Sequence, residues 1–352
     1  MVRAQEGAQK LCNCKAFFLF ICEPFWQGKV SSPAFYIEIE ENMSILTVGT
    51  MAFDTIHTPY GKAEKVIGGA CTYISWAASY LYKPINLVSI IGYDFPQDEV
   101  DALRIRGVNM DGLERVKDKA SFFWAGSYHQ DMNTRDTLTT DLNVLADFNP
   151  RLPESYRNSE YIMLGNLTPD VQIAVLDQLS TKPKLVILDT MNFWMDVALD
   201  RLLEVIQRVD VLTINDEEAR QLSGERSLVK AAAKIHSMGP RFLVIKKGEH
   251  GALLFHKDQI FFAPGLPVAD VVDPTGAGDS FAGGMIGYLA RTGEISFNNL
   301  KTAIIYGSTM ASFCVEDFSL QKLRHLHAEQ IHSRLRQFEA LTTFDVNELR
   351  LD

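Results

Sequence analysis

The sequence predicts an α/β fold: a doubly wound, mostly parallel sheet with helices on both faces, topped by a small β lid. Two patterns predict it. From Ser44 onward, short apolar runs rich in β-branched residues alternate with segments of helical pattern, and that alternation is the sequence form of a three-layer sheet. Two stretches, residues 52–67 and 120–147, interrupt it with β-forming composition and little helical periodicity. Together they could form a small sheet leaning over the strand ends, or a pair of ordinary surface hairpins. The bulk composition agrees, since 352 residues, 47% hydrophobic and 22% charged, suffice for a large core.

Residues 1–42 precede the first convincing strand. Within them 16–22 is apolar and follows Lys10 and Lys15, but Glu23-Pro24 ends the run and no small-residue cleavage site follows. The run is too short to span a bilayer. We therefore expect 1–42 to be a disordered extension outside the fold, left by translation begun upstream of Met43. Residues 45–48, 87–91, 161–164, 185–188, 211–214 and 242–245 each read as a buried parallel strand, being short, apolar and β-branched. Helices are expected at 71–82, 169–179, 197–209 and 228–238, and the chain after Phe297 looks helix-rich. One domain over 43–340 and a short tail, 341–352, complete the expected organisation.

The densest local information lies at residues 272–284, Val-Asp-Pro-Thr-Gly-Ala-Gly-Asp-Ser-Phe-Ala-Gly-Gly. Gly276, Ala277 and Gly278 have almost no side chain, so their N–H groups can come close to an anion. The small, apolar stretch 280–289 reads as a helix whose positive N-terminus falls at the same place. Asp279 puts a carboxylate inside this anion-attracting turn. That is a poor choice for holding a phosphate. It suits a base beside a phosphoryl group in transit, taking a proton from an attacking hydroxyl. Two other readings of the glycines fail on spacing. A dinucleotide fingerprint needs glycine three residues after its second, and that position is Phe281. A Walker-type loop needs Gly-Lys followed by Ser or Thr, and Gly61-Lys62 continues into Ala63.

The full run resembles the C-terminal signature of the PfkB (ribokinase-like) carbohydrate kinases, with Asp-Pro-Thr-Gly-Ala-Gly-Asp-Ser-Phe matching position by position. The resemblance covers about residues 44–340. It implies ATP-dependent phosphorylation of a hydroxyl on a sugar, polyol or nucleoside, with Asp279 as base and Gly276, Ala277 and Gly278 as the anion hole. Asn215 and Glu218 match the family's Asn-x-x-Glu motif and would help position Mg2+, through water, on the nucleotide phosphates, a role that needs few protein carboxylates. Gly248 and Gly251 resemble the turn on the nucleotide side. The resemblance puts Asp54, Gly68 and Gly69 in the sugar pocket. The aspartate can accept bonds from vicinal hydroxyls, although its spacing alone reads as a solvated loop residue, and the glycines let a polyol approach the helix start at Ala70. Asp273 and Thr275 match positions that bind a monovalent cation such as K+ in some relatives, with Ser319 a further contributor. Where many sugar kinases of the family carry asparagine after the glycine pair, this chain reads Ala70-Cys71-Thr72-Tyr73. That departure bears on the acceptor rather than on the chemistry.

Plainer readings stand beside these. Acidic residues 216–218 open a helix where its dipole favours them. Lys246 and Lys247, at a strand end, could meet phosphate, but lysines exposed at strand ends are usually solvated, and His250 is expected to do nothing beyond its turn. In the lid, Asn133, Arg135 and Asp136 offer polar groups, with Arg135 able to engage a substrate hydroxyl or anionic substituent. A solvated hairpin tip explains them equally well. Cys71 has no His or Asp partner at a recognisable spacing, so it reads as a buried thiol. The other cysteines, Cys12, Cys14, Cys22 and Cys314, form no zinc-site pattern and suit a reducing cytoplasm.

A net charge of −10 argues against nucleic acid or anionic membrane as a partner. Phe122, Phe123 and Trp124 would be costly to leave exposed on an open lid edge, so a homodimer through the lid is expected. Two other function classes fit less well. A sensor that kept the fold without turnover would gain nothing from Asp279, and a dinucleotide-dependent oxidoreductase lacks the glycine spacing.

Overall fold

The computed structural model describes residues 43–345. The expected extension at 1–42 lies outside the described residues, as do positions 346–352 of the expected tail. The described residues start with β1 (Ile45–Val48) and turn into a hairpin, β2 (Ala52–Thr58) and β3 (Gly61–Gly68), before the helix Ala70–Ala78. Next come β4 (Ile85–Ile91), the helix Gln97–Ile105, β5 (Val108–Arg115) and a second hairpin, β6 (Phe122–Tyr128) and β7 (Arg135–Asp141). Strands and helices then alternate through β8 (Tyr161–Leu164), β9 (Leu185–Asp189), β10 (Val211–Asn215) and β11 (Phe242–Lys246). A hairpin, β12 (Ala252–His256) and β13 (Gln259–Ala263), precedes two long helices, Ala277–Thr292 and Phe297–Cys314, packed on each other.

The large sheet runs β13-β12-β11-β10-β9-β8-β1-β4-β5. Pairings from β11 through to β5 are parallel, and β12 and β13 extend one edge antiparallel. From β1 the chain builds first toward β4 and β5, then returns to build β8 onward on the other side. The crevice beyond the carboxyl ends of β1 and β8 is therefore the topological switch point, where ligands of such sheets bind. Strands β1, β8 and β9 are buried along their whole length, which is why they read as unbroken apolar runs. Alternate residues feed two separate cores. Ile45, Leu87 and Tyr161 meet Met285 on one face, while Leu46, Val88 and Ile162 join Leu202 on the other.

The two expected lid segments pair with each other in a four-stranded sheet, β3-β2-β6-β7, in which β2 and β6 are parallel. All seven residues of β7 are exposed. The aromatic cluster differs from expectation, because Phe122, Phe123 and Trp124 are all half-buried. Phe123 packs on the core beneath. Trp124 lies over Gly126, donates Nε1–H to Thr137 Oγ1 at 3.3 Å and has the Arg135 guanidinium 5.9 Å from its ring.

Boundaries shift where local chemistry stops an element early. The expected helix 71–82 ends at Ala78, and 197–209 shortens to Leu199–Ile206, preceded by a separate short helix, Asn192–Val197. The last helix, Ala328–Thr342, runs two residues past the expected domain end. No helix among the described residues is long and apolar enough to cross a membrane.

Candidate active site

Gly276 is the N-cap of the helix Ala277–Thr292, with φ 78°. That left-handed backbone, and the Tyr73 ring that a β-carbon would meet at 2.4 Å, make glycine the residue that fits. The turn consumes one amide expected to face an anion, since Ala277 N–H donates to the Pro274 carbonyl at 3.1 Å. The Gly276, Gly278 and Asp279 N–H groups take no acceptor among the described residues. The available donors are therefore these three amides at a helix start, and Ala277 serves the turn instead.

Asp279 keeps some solvent access but is set deep among protein atoms. That desolvation pushes its carboxyl up to about 7, with Asp189 adding to the rise and Lys246 and Arg135 opposing it. A carboxylate so placed is a competent general base near neutral pH.

The structure puts Asp54 within lid strand β2 rather than in a solvated loop, and only 5% of it is exposed. Burial pushes it up to about 8, helped by Asp273 and Asp279 and resisted by the Gly69 N–H. Gly69, with φ 93°, caps the helix Ala70–Ala78. Asp54, Gly68 and Gly69 thus meet where the lid joins that helix, within electrostatic reach of Asp279.

At the end of β10, Asn215 and Glu218 form a reciprocal cap. The Asn215 side chain accepts from Glu218 N–H at 2.7 Å, and Glu218 Oε2 accepts from Asn215 N–H at 2.7 Å. The plain helix-start reading therefore holds. Burial also pushes Glu218 up to about 7, against the pull of Lys246 and the Asn215 N–H. The Arg135 charge lowers both the Glu218 and the Asp279 carboxyl.

Lys246 departs from the expectation of a solvated lysine. Its Nζ lies 2.6 Å from Asp189 Oδ1, with side-chain exposures of 18% and 9%. Thr213 on the strand between them donates to the same oxygen at 2.8 Å. A β-carbon on Gly278 would stand 3.2 Å from Lys246 Nζ, so this ammonium borders the anion turn. Asp189 ends an apolar strand with no motif around it, so nothing local in the sequence marks it.

Other expected positions sort by their contacts. Gly248, with φ 54°, faces Asn133 of the lid hairpin, whose Oδ1 a β-carbon would meet at 2.3 Å. Gly251, with φ 86°, packs on the Ala263 carbonyl and Gly265 backbone, so its lack of a side chain is already explained by the β12–β13 hairpin. Asp136 is exposed and paired with His129 at 2.8 Å, the solvated-hairpin reading. His250 is exposed on its turn. Cys71 is buried against Thr47 and Ser75, and burial pushes its thiol up to about 12, so it is inert. Asp273 accepts from Thr275 N–H at 2.8 Å and from Ser319 N–H at 3.3 Å, while Thr275 Oγ1 meets Tyr128 OH at 3.2 Å. Burial also raises the Asp273 carboxyl. Among the described residues no group of three or more His, Cys, Asp or Glu side chains forms a metal cage.

A family model described as pfkB family carbohydrate kinase matches residues 42–325. Cytidine kinase of Thermococcus kodakarensis is 28% identical over 254 residues, which is 71% of this chain and 89% of that protein. Among solved structures, Burkholderia thailandensis nucleoside kinase in complex with inosine superposes with a TM-score of 0.69 at 19% identity, over 84% of this chain and 99% of its own. The E. coli chain described as a ribokinase II, bound to ATP and Mg2+, gives 0.68 at 17% identity over 84% and 99%. At those identities the structural matches speak for the fold.

Proposed function

The chain belongs to the pfkB family of carbohydrate kinases, phosphotransferases with an alcohol acceptor, and from that premise we propose how it works and on what. The reading is transfer of the γ-phosphoryl group of ATP to a hydroxyl of a nucleoside, or of a related sugar or polyol. The acceptor oxygen forms a bond to phosphorus, the bond from phosphorus to the β-phosphate bridging oxygen breaks, ADP leaves and the hydroxyl proton passes to Asp279. One observation carries this: a carboxylate raised to about 7 stands at a helix start whose Gly276, Gly278 and Asp279 amides are unclaimed. Those amides would hold charge on the phosphoryl oxygens, and in a dry site such donors count for most of the rate.

Asp54, beside Gly68 and Gly69, is assigned to acceptor hydroxyls. The nucleoside preference is supported by the cytidine kinase relative. Arg135, on the lid strand β7, lends its charge to Asp279 and Glu218, and lid closure would keep water from competing with the acceptor.

The donor set fits Mg2+ as a phosphate-held ion. Glu218 offers a desolvated carboxylate whose ionised form a dication would favour, and the described residues form no all-protein cage. Asn215 and Glu218 would orient its waters, and Mg2+ when bound would offset phosphate charge. Asp273 and Thr275, with Ser319 beside them, would hold K+, for a buried carboxylate gains from a cation.

The test is an ADP-release screen of purified protein with Mg-ATP against nucleosides, sugars and polyols. ADP formation dependent on a nucleoside such as cytidine is expected. Nucleotide binding with no acceptor-dependent ADP from any compound would replace this reading with that of a sensor.

A further inference from the structure

A carboxylate, a hydroxyl and an ammonium from three adjacent strands meet at their carboxyl ends. Asp189 ends β9, Thr213 lies on β10, and Lys246 ends β11. Thr213 and Lys246 both bond Asp189 Oδ1, at 2.8 Å and 2.6 Å. The bridge holds a long, flexible side chain in one place, with its charge beside Gly278. Thr190, next along the chain, also has a buried hydroxyl without a partner.

If the bridge existed only to join strands, it would be an expensive choice. Parallel ladders already join β9 to β10 and β10 to β11, and removing two charges from water costs about what their attraction returns. What the bridge adds is a fixed positive charge at the anion turn. The charges of Asp189, Glu218 and Asp279 all act on Lys246, so it lies within electrostatic reach of the proposed base and the proposed metal-orienting carboxylate together. Arg135 is the other cation acting on Asp279, but it comes from the lid, whereas Lys246 stands on the rigid sheet.

We propose that Lys246 is a catalytic residue whose ammonium contacts the transferring γ-phosphoryl group, and that Asp189, with Thr213, is the positioning residue that aims it. This rests on the reading of Asp279 and the anion turn given above. A lysine here acts as a point charge on phosphate. It gains most as charge builds on the equatorial oxygens in flight, so its effect falls on turnover more than on acceptor binding.

The deciding variant is the double substitution Lys246→Met with Asp189→Asn, which removes both charges without stranding either in the interior. It should bind AMP-PNP with Mg2+ at least about tenfold more weakly while ADP affinity stays near wild type, and kcat should fall by about 10²–10³. A purely structural bridge would leave the ratio of AMP-PNP to ADP affinity unchanged, and that result overturns the proposal. Asp279→Asn in the same assays separates the two readings. If that variant turns over normally, the phosphoryl site itself is misassigned. If it is inactive while the double variant is active, the role of Lys246 alone fails. Should the double variant not fold, the wild-type protein can be treated with an acyl-phosphate derivative of ATP. Acylation of Lys246 that AMP-PNP blocks is expected, and labelling of Lys247 alone would overturn the assignment.

Discussion

A β-carbon on Gly68 would stand 1.9 Å from Oδ2 of Asp54, so the carboxylate occupies the space that any other residue at position 68 would need. The two positions are one device. The small residue makes room, and the acid is held against the helix start at Gly69 by strand pairing between β2 and β3. An acceptor hydroxyl reaching Asp54 would also lie within the influence of Asp279, which already raises the Asp54 carboxyl.

Asp279→Asn should leave melting and ATP binding nearly unchanged while turnover falls by about 10²–10⁴, the usual worth of a general base. In the wild type, kcat/KM should rise with pH through about 7, because the base must be ionised and its carboxyl sits there. Steady-state kinetics across pH check both. A variant with near wild-type kcat would remove Asp279 from the mechanism.

Gly276 and Gly278 should respond differently to alanine. At Gly276 the positive φ and the Tyr73 ring make Ala costly, by about 1 kcal/mol or more. At Gly278 the backbone is helical, and only Lys246 Nζ must give way. Gly278→Ala should therefore keep its melting temperature and lose nucleotide affinity. Calorimetry of nucleotide binding beside thermal melts distinguishes the pair.

Glu218→Gln should preserve the helix, since glutamine can complete the same cap toward Asn215 N–H. It removes the charge set against the metal. The Mg2+ concentration for half-maximal activity should rise about tenfold or more. A Mg2+ titration at saturating ATP measures this, and an unchanged requirement would leave Glu218 as a cap alone.

The ligand-free protein should lose stability as pH rises. Asp54, Asp279 and Glu218 stand at about 8, 7 and 7, above their ordinary values of 3.8, 3.8 and 4.5. The folded state thus holds more protons than the unfolded one between about pH 4 and 8, so their contribution is full below that window and lost through it. The melting temperature should be higher near about pH 6 than about pH 8.5, and Asp54→Asn should flatten the difference. A melt series in which stability grows over that range would contradict the carboxylate assignments.

Light scattering is expected to show a dimer joined through the lid, because β7 leaves a whole strand exposed, with Leu138 at 54% and Leu142 at 46%. The residue to test is Leu138 rather than Trp124, whose ring this chain already covers. Leu138→Lys should give the monomer mass, and a dimer indifferent to it would place the contact elsewhere.

What the sequence makes legible follows from how each element is stabilised. Buried strands such as β1 and β8 are apolar throughout, and Asp279 sits in a motif dense enough to name. Strand β5 is hidden, because it lies at the sheet edge and mixes Asn109, Asp111 and Glu114 among its residues. The pairing of Lys246 with Asp189 is illegible for another reason. The two are 57 residues apart, and no local spacing encodes a pairing made across an intervening strand. The amide of Ala277 shows the converse, a motif position whose donor turns inward only once the turn has closed.

The parallel neighbours of β1 and β2 set the order in which the molecule can be built. As the chain emerges from the ribosome, β1 must wait for β8 and β2 for β6. Synthesis of the residues from Ile45 to Leu164 takes on the order of ten seconds at ordinary translation rates. During that interval, one face of the nascent domain offers unpaired backbone and apolar side chains to whatever lies nearby. The switch point that makes the crevice is thus also a seam that stays open until β8 has been made, a stage at which a chaperone has something to protect.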